Sequence, residues 1–273
     1  MREVKAASMR YVTISYTKKD HIAYITLNRP GEDNVINQQL DQEMEEVCWG
    51  INQDDNIYVA VITGAGDRAF CGGSELERLI QSGNAVKASS AKLQDVSIKY
   101  KVTTAIASID RPVIGAINGD ALGLGLELAL SCDIRLASQR ARFGLPQVAS
   151  GVIPMGGGTQ RLPRLIGKGK ALELILTAET ISAEEALEIG LVSKVVPQEA
   201  LASEAETLAH TIASKAPIAL RFIKEAVNKG MDLTLEQGLR LEADLYFLLH
   251  TTADRTEGIK AFLEKRPPRF KGQ

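Results

Sequence analysis

Asn118-Gly119-Asp120-Ala121-Leu122-Gly123-Leu124-Gly125-Leu126-Glu127 follows directly on the apolar run Pro-Val-Ile-Gly-Ala-Ile at 112–117. The run has the β-branched composition of a buried strand, and residues 127–132 read as a helix. A strand that turns through glycines into a helix leaves the helix's first N–H groups without partners, and negative charge is favoured there. A second junction of this kind, Phe70-Cys71-Gly72-Gly73-Ser74-Glu75, comes shortly after the buried run 59–63. Two such junctions on adjacent strands would aim one N–H each at a single oxygen. In an oxyanion hole of that sort, losing one donor costs about 3 kcal/mol. Taken alone, each glycine cluster is equally what a tight strand–helix turn requires.

Outward from these junctions the chain is mixed β and α first, then helical. Residues 11–16 and 21–28 are rich in Val, Ile, Thr and Tyr around the polar Thr17-Lys18-Lys19-Asp20, which predicts a hairpin. Leu40, Met44, Val47, Cys48 and Ile51 recur at helical spacing. Further strands fit 112–118, 134–137 and 192–196. Ser182 with Glu185, and Thr234 with Gln237, form capping-box patterns ahead of helices, and Gly190 is a stop for the first of them. No linker rich in Gly, Ser and Pro divides the chain. The expected organisation is a core over residues 1–200 with a C-terminal helical segment over 201–273, packed on that core or on a neighbouring subunit.

Composition removes several function classes. The 32 Lys and Arg against 34 Asp and Glu leave a net charge of −2, which gives nucleic acid or a membrane surface no electrostatic footing. No apolar run approaches membrane-spanning length, and MREVKAASMR at the start lacks the apolar stretch of a secretory signal, so it reads as a disordered leader of a cytoplasmic protein. Cys48, Cys71 and Cys132 are widely spaced and odd in number, which argues against a disulfide framework. His21, His210 and His250 show no metal-ligand spacing, so no metal is expected.

Several segments, in this order, resemble the enoyl-CoA hydratase/isomerase (crotonase-like) family over nearly the whole chain. They are Leu27-Asn28-Arg29-Pro30 with Asn34, Ala69-Phe70-Cys71-Gly72-Gly73, and Arg111-Pro112-Val113-Ile114-Gly115-Ala116-Ile117-Asn118-Gly119. Glu127-Leu128-Ala129 before Cys132-Asp133, Gly156-Gly157-Gly158-Thr159-Gln160-Arg161-Leu162, and Glu264-Lys265-Arg266 with Pro267 complete the set. The resemblance implies an α/β fold, a crotonase-like spiral of ββα units with a C-terminal helical segment. It also implies an acyl-CoA substrate, no cofactor beyond the substrate's CoA moiety, and a homotrimer or a hexamer made as a dimer of trimers. It places the oxyanion-hole N–H donors at Ser74 and Leu124, the latter usually glycine in the family.

The family's hydratases use two glutamates. One falls on Glu127; the other falls in Phe143-Gly144-Leu145-Pro146-Gln147, where this chain carries Gln147. Glutamine orients a water but exchanges no proton, and general acid–base catalysis by one group is worth roughly 10²–10⁴-fold. The resemblance therefore implies hydration of an α,β-unsaturated acyl-CoA with Glu127 as the single catalytic glutamate and Gln147 as a positioning group. Other enolate chemistry, decarboxylation or thioester hydrolysis, stays open, as does a catalytically silent CoA-binding subunit. Arg29, Phe270 and Lys271 resemble contacts to the CoA nucleotide and phosphates, and charged tails are also commonly just solvated. Plainer roles stand beside these: Glu127 as an acid complementing a helix start, Asp120 and Glu75 as turn or helix caps, and the leucines of 235–249 as core or subunit interface. Ser74 has no histidine in a pairing context, so its backbone rather than its hydroxyl is the candidate. The stretch 80–100 is expected to wall the acyl pocket.

Overall fold

The computed structural model describes residues 11–75, 77–78 and 101–273. The leader 1–10 and the expected pocket wall at 80–100 lie outside the described residues. Strands β1 (Ile14–Lys19) and β2 (Ile22–Leu27) form the antiparallel hairpin that opens the fold. The turn is not where the polar run places it. Thr17, Lys18 and Lys19 are paired strand residues, and the reversal falls on Asp20 and His21, both at positive φ (51° and 65°). Two central residues of that conformation match the strand twist in a two-residue hairpin, so turn geometry overrides side-chain polarity. His21 is held there by stacking on Tyr58 at 4.3 Å.

The remaining strands are β3 (Val59–Gly64), β4 (Ala69–Cys71), β5 (Val113–Ile117), β6 (Asp120–Leu122), β7 (Ile134–Ser138), β8 (Arg142–Gly144), β9 (Thr180–Ser182) and β10 (Lys194–Val196). They form two sheets, ordered β1-β2-β3-β5-β7-β10 and β4-β6-β8-β9. Beyond the hairpin the larger sheet is parallel, so every step between its neighbouring strands is a crossover. After β3 the crossovers also feed the smaller sheet: β4 lies between β3 and β5, β6 between β5 and β7, and β8 with β9 between β7 and β10. The helices in chain order are α1 (Gln38–Gln53), α2 (Lys101–Ala107), α3 (Leu124–Ser131), α4 (Gly158–Ile166), α5 (Lys168–Thr177) and α6 (Ala183–Glu188). They continue with α7 (Leu201–Ala213), α8 (Pro217–Gly230), α9 (Leu235–Leu249) and α10 (Ala253–Leu263). The result is the expected spiral of ββα turns. Both capping boxes form, at the starts of α6 and α9.

The central strands β3 and β5 read as nearly continuous apolar runs because both faces are buried. Ala60 and Ile62 of β3 join the main core with α1 and α2, while Val59 and Val61 face the second core under α7. Leu201, Ala205 and Ala209 of α7 complete that second core. Helix α8 is tied down by Lys224, whose ammonium bonds Asp133 at 2.6 Å and the Arg111 carbonyl at 2.9 Å. In α9 only Leu245 is buried; Leu235 is 80% exposed, and Leu239, Phe247 and Leu248 are exposed with it. These leucines are therefore not core within one chain. Met44, by contrast, is fully buried.

Two buried asparagines shape the β3–β4 loop. Asn34 donates to the carbonyls of Ala65 (2.9 Å) and Ala69 (2.8 Å), and its own oxygen accepts the Arg29 N–H. Asn118 accepts the Gly64 N–H at 3.0 Å and donates to the Gly66 carbonyl at 2.9 Å. Residues far apart in the chain thus satisfy the loop's backbone groups where no strand can.

Arg111, 1% exposed, does the same for the end of α1. Its guanidinium donates to the carbonyls of Ile57 (3.0 Å), Asn52 (3.2 Å) and Asp54 (3.1 Å) and pairs with Asp110. Arg111→Met would fill the space but strand those carbonyls without a donor. The expected loss is about 3–5 kcal/mol of stability, read as a lower urea midpoint at unchanged slope; an unmoved midpoint would contradict this role.

Candidate active site

The first junction is fixed by the segment just before α1. The Gly72 N–H donates to the Asp33 carbonyl (2.9 Å), the Ile36 N–H to the Gly73 carbonyl (2.9 Å), and the Glu75 N–H to the Ile36 carbonyl (3.1 Å). Ser74, between these bonds, sends its own N–H elsewhere. At the second junction the Gly123 N–H is held by the Gly144 carbonyl at 2.9 Å. Helix α3 then starts at Leu124, whose N–H belongs to the unpaired first turn. Parallel pairing of β4 with β6 sets the junctions side by side. Gly125 closes the gap: a methyl group there would overlap the carbonyl oxygen of Cys71.

Both free N–H groups meet one carboxylate, that of Glu77. Its Oε2 lies 2.7 Å from the Ser74 nitrogen and 3.3 Å from the Leu124 nitrogen. A single oxygen thus sits between two backbone donors, and the Leu124 nitrogen is also 3.3 Å from the other carboxylate oxygen. The other oxygen, Oε1, accepts from Gln147 Nε2 at 3.0 Å. The Glu77 N–H in turn donates to Ser74 Oγ at 3.3 Å, so residues 74 and 77 form a capping box. Burial raises the Glu77 pKa, opposed by the bonds from Ser74, Leu124 and Gln147.

Glu127, on the first turn of α3, is 1% exposed, and its Oε1 accepts the Gly158 N–H at 2.7 Å. Burial pushes its pKa up to about 7; the Gly158 bond works against the shift and the nearby Glu77 charge adds to it. The bulk of Leu124, where glycine was expected, is taken up by a missing side chain elsewhere. A Cβ on Gly156 would lie 2.6 Å from Leu124 Cδ1 and 3.2 Å from the Glu127 carboxyl carbon. Gln147 sits in a short 3-10 turn, Pro146–Ser150, and is buried; its Oε1 has no hydrogen-bond partner among the described residues.

Ser74, Leu124, Glu127 and Gln147 are therefore gathered in one place, with Glu77 at the centre. A cavity of about 250 Å³ opens beside them, walled by Glu77, Leu122, Gly123, Gln147 and Val152. Arg29 lies next to this group: its guanidinium bonds the Val35 carbonyl (2.6 Å), Glu32 (2.6 Å) and Glu75 (3.3 Å). Phe270 and Lys271 lie instead against α10, where Phe270 faces Gly258 and the Lys271 N–H donates to Asp254 at 2.7 Å. Asp120 is set apart, at the start of β6; burial raises its pKa, and Arg142, Asp33 and Arg68 are the charges that act on it. All three cysteines are buried and free, and burial drives their thiols up to about 12, which disfavours the reactive thiolate. Glu77 is the residue that sequence reasoning missed. Its signal was present in Ser74-x-x-Glu77, the same capping pattern recognised at 182–185 and 234–237.

The two-sheet spiral thus sets two backbone N–H donors and the buried Glu127 carboxyl close together. Comparison with known proteins gives this arrangement its family. The family model for enoyl-CoA hydratase/isomerase matches residues 17–273. The crotonyl-CoA hydratase of Syntrophomonas wolfei is 40% identical over 262 residues, covering 96% of this chain and 99% of that protein. The short-chain-enoyl-CoA hydratase of Clostridium acetobutylicum is 39% identical over 249 residues, covering 91% and 94%. The crystal structure of an enoyl-CoA hydratase from Bacillus anthracis superposes with a TM-score of 0.91 at 41% identity, covering 96% of this chain and 100% of that one. The chain belongs to the enoyl-CoA hydratase/isomerase family.

The buried position of Glu127 has a stability consequence with a definite sign. Its folded pKa of about 7 lies above the ordinary 4.5, so the unfolded chain ionises first as pH rises. Native stability is lost progressively between these two values and the deficit is constant above the upper one, amounting to about 3 kcal/mol. Glu127→Gln, which cannot ionise, should melt higher than the wild type by an amount that grows over this window and then levels off. A difference independent of pH would show that the carboxyl is not held this way.

Proposed function

We propose that this protein adds water across the double bond of an α,β-unsaturated acyl-CoA thioester. The observation that carries the reading is the single oxygen position shared by the Ser74 and Leu124 N–H groups, with Glu127 buried beside it. A thioester oxygen bound there would gain negative charge as water attacks the β-carbon, and fixed donors in a dry site stabilise that charge without reorganising. Glu127, with its pKa near neutrality, takes the proton from the attacking water. Gln147 orients water or substrate through its amide. No cofactor is needed beyond the CoA moiety of the substrate. The names of the relatives, a crotonyl-CoA hydratase and a short-chain-enoyl-CoA hydratase, point to the same reaction.

The same reading gives Arg29, Phe270 and Lys271 the CoA nucleotide and phosphates. Arg29 would then exchange Glu32 and Glu75, both more than half exposed, for phosphate oxygens, one anion for another. It also makes α9 and α10 a contact between subunits of a trimer or a dimer of trimers. Support comes from their exposed apolar side chains: Leu235, Leu239, Phe247 and Phe262 are exposed on these two successive helices. Among the described residues no helix is long and apolar enough to cross a membrane.

Crotonyl-CoA tests the reaction directly, because hydration removes the absorbance of its conjugated thioester. Rapid loss without release of free CoA or carbon dioxide is expected, rising with pH as Glu127 ionises through about pH 7. Glu127→Gln should slow it by about 10²–10⁴-fold. Release of CoA or carbon dioxide from an acyl-CoA would instead identify a hydrolase or decarboxylase, and binding without turnover would leave only a CoA-binding subunit.

A further inference from the structure

Glu77 is more than a helix cap. A capping box needs one carboxylate oxygen on one N–H. Here the second oxygen is engaged by Gln147, and the Leu124 N–H on a different strand–helix junction reaches both oxygens. Glu77 also walls the cavity, so it faces the space a substrate enters. An acyl thioester whose oxygen takes the two N–H groups must displace this carboxylate, and a displaced Glu77 abuts the thioester it has made way for. The anchor it can retain is the amide of Gln147.

We propose that Glu77 is the second proton-exchanging group of the site, delivering to the α-carbon the proton that Gln147 cannot carry. The inference rests on the hydration reading. In the balanced step, Glu127 takes a proton from water as the oxygen bonds to the β-carbon. The electron pair moves into the enolate held by Ser74 and Leu124, and the neutral Glu77 carboxylic acid gives its proton to the α-carbon. Solvent then carries the proton gained by Glu127 back to Glu77.

Three features of the site fit this role. In the free protein the two N–H groups and the Gln147 amide favour the charged form of Glu77, against its burial. When the thioester oxygen takes the N–H groups, that support is lost and the carboxyl is driven toward protonation, the state an acid needs. Gln147 suits both states, since its amide donates to a carboxylate and, turned over, accepts from a carboxylic acid through the oxygen that now lacks a partner. A glutamate at position 147 would instead place two carboxylates 3.0 Å apart and compete for one proton. The carboxylate has in effect moved from position 147 to position 77. Of the other ionisable groups acting here, Glu127 faces Glu77 from α3 and Cys71 from β4, and Arg78 is paired with Asp33 at 2.7 Å.

The test compares wild type, Glu77→Gln, and the exchanged pair Glu77→Gln with Gln147→Glu. It measures turnover of crotonyl-CoA across pH and binding of butyryl-CoA, which has no double bond to hydrate. A glutamine at 77 still accepts from Ser74, so folding is retained. Glu77→Gln should lower kcat by about 10²–10⁴-fold, abolish the decline of activity at high pH that marks an acid, and bind butyryl-CoA at least as tightly. The exchanged pair should recover activity over Glu77→Gln. Undiminished kcat in Glu77→Gln would overturn the proposal while leaving hydration standing. An exchanged pair as slow as Glu77→Gln, with butyryl-CoA binding intact, would overturn it as well. Absence of turnover in the wild type would overturn both readings together.

Discussion

A side chain at position 125 would overlap the carbonyl oxygen of Cys71, and the site depends on its absence. The backbone contact sets the start of α3 against the end of β4, and only at that distance do two N–H groups from separate junctions share an oxygen. The rest of the architecture holds this approach in place. Parallel pairing of β4 with β6 aligns the junctions, Asn34 and Asn118 fix the loop that feeds the first, and the Gly144 carbonyl fixes the turn that feeds the second. Because the donors are backbone groups, their direction is set by the fold and not by a rotamer. Leucine at 124 is compatible with that role as long as Gly156 leaves its side chain room.

Burial then decides the chemistry. Glu127 and Glu77 both lie in surroundings that penalise charge, and the Glu77 charge makes Glu127 harder to ionise. Two carboxyls in such a place tend toward different protonation states, one charged and one neutral, which is the condition for a base and an acid in the same pocket. Glutamine at position 147 gives the Glu77 carboxylate a neutral hydrogen-bond partner, its Nε2 3.0 Å from Oε1. Holding Glu127 away from water costs the native state stability once the unfolded chain can ionise it.

Much of this was legible from local pattern. The buried strands, the glycine junctions and the caps at Ser182 and Thr234 each follow from short-range rules, and the order of the motifs was enough to indicate the family. What was not legible depends on chain segments meeting in space. The hairpin turns at Asp20-His21 because strand twist selects positive φ, whereas polarity pointed to the residues before it. Leu235, Leu239 and Leu248 of α9 satisfy the helical period yet stay exposed, since periodicity cannot say whether the covering surface is the same chain or another copy. Glu77 was hidden for a related reason: its capping pattern is visible, but its contacts with Leu124 and Gln147 join residues 47 and 70 positions away.

In the proposed reaction the N–H groups of Ser74 and Leu124 seat the thioester oxygen. Isotope-edited infrared spectroscopy of butyryl-CoA labelled at its carbonyl carbon reads that seat directly, since a carbonyl held by two donors is polarised and its stretch falls. If both N–H groups hold the oxygen, the carbonyl band on binding lies below its frequency in water, with a concurrent change in the carboxyl bands that is missing in Glu77→Gln. A bound thioester whose carbonyl band stays at its solution frequency would contradict this seating of the oxygen.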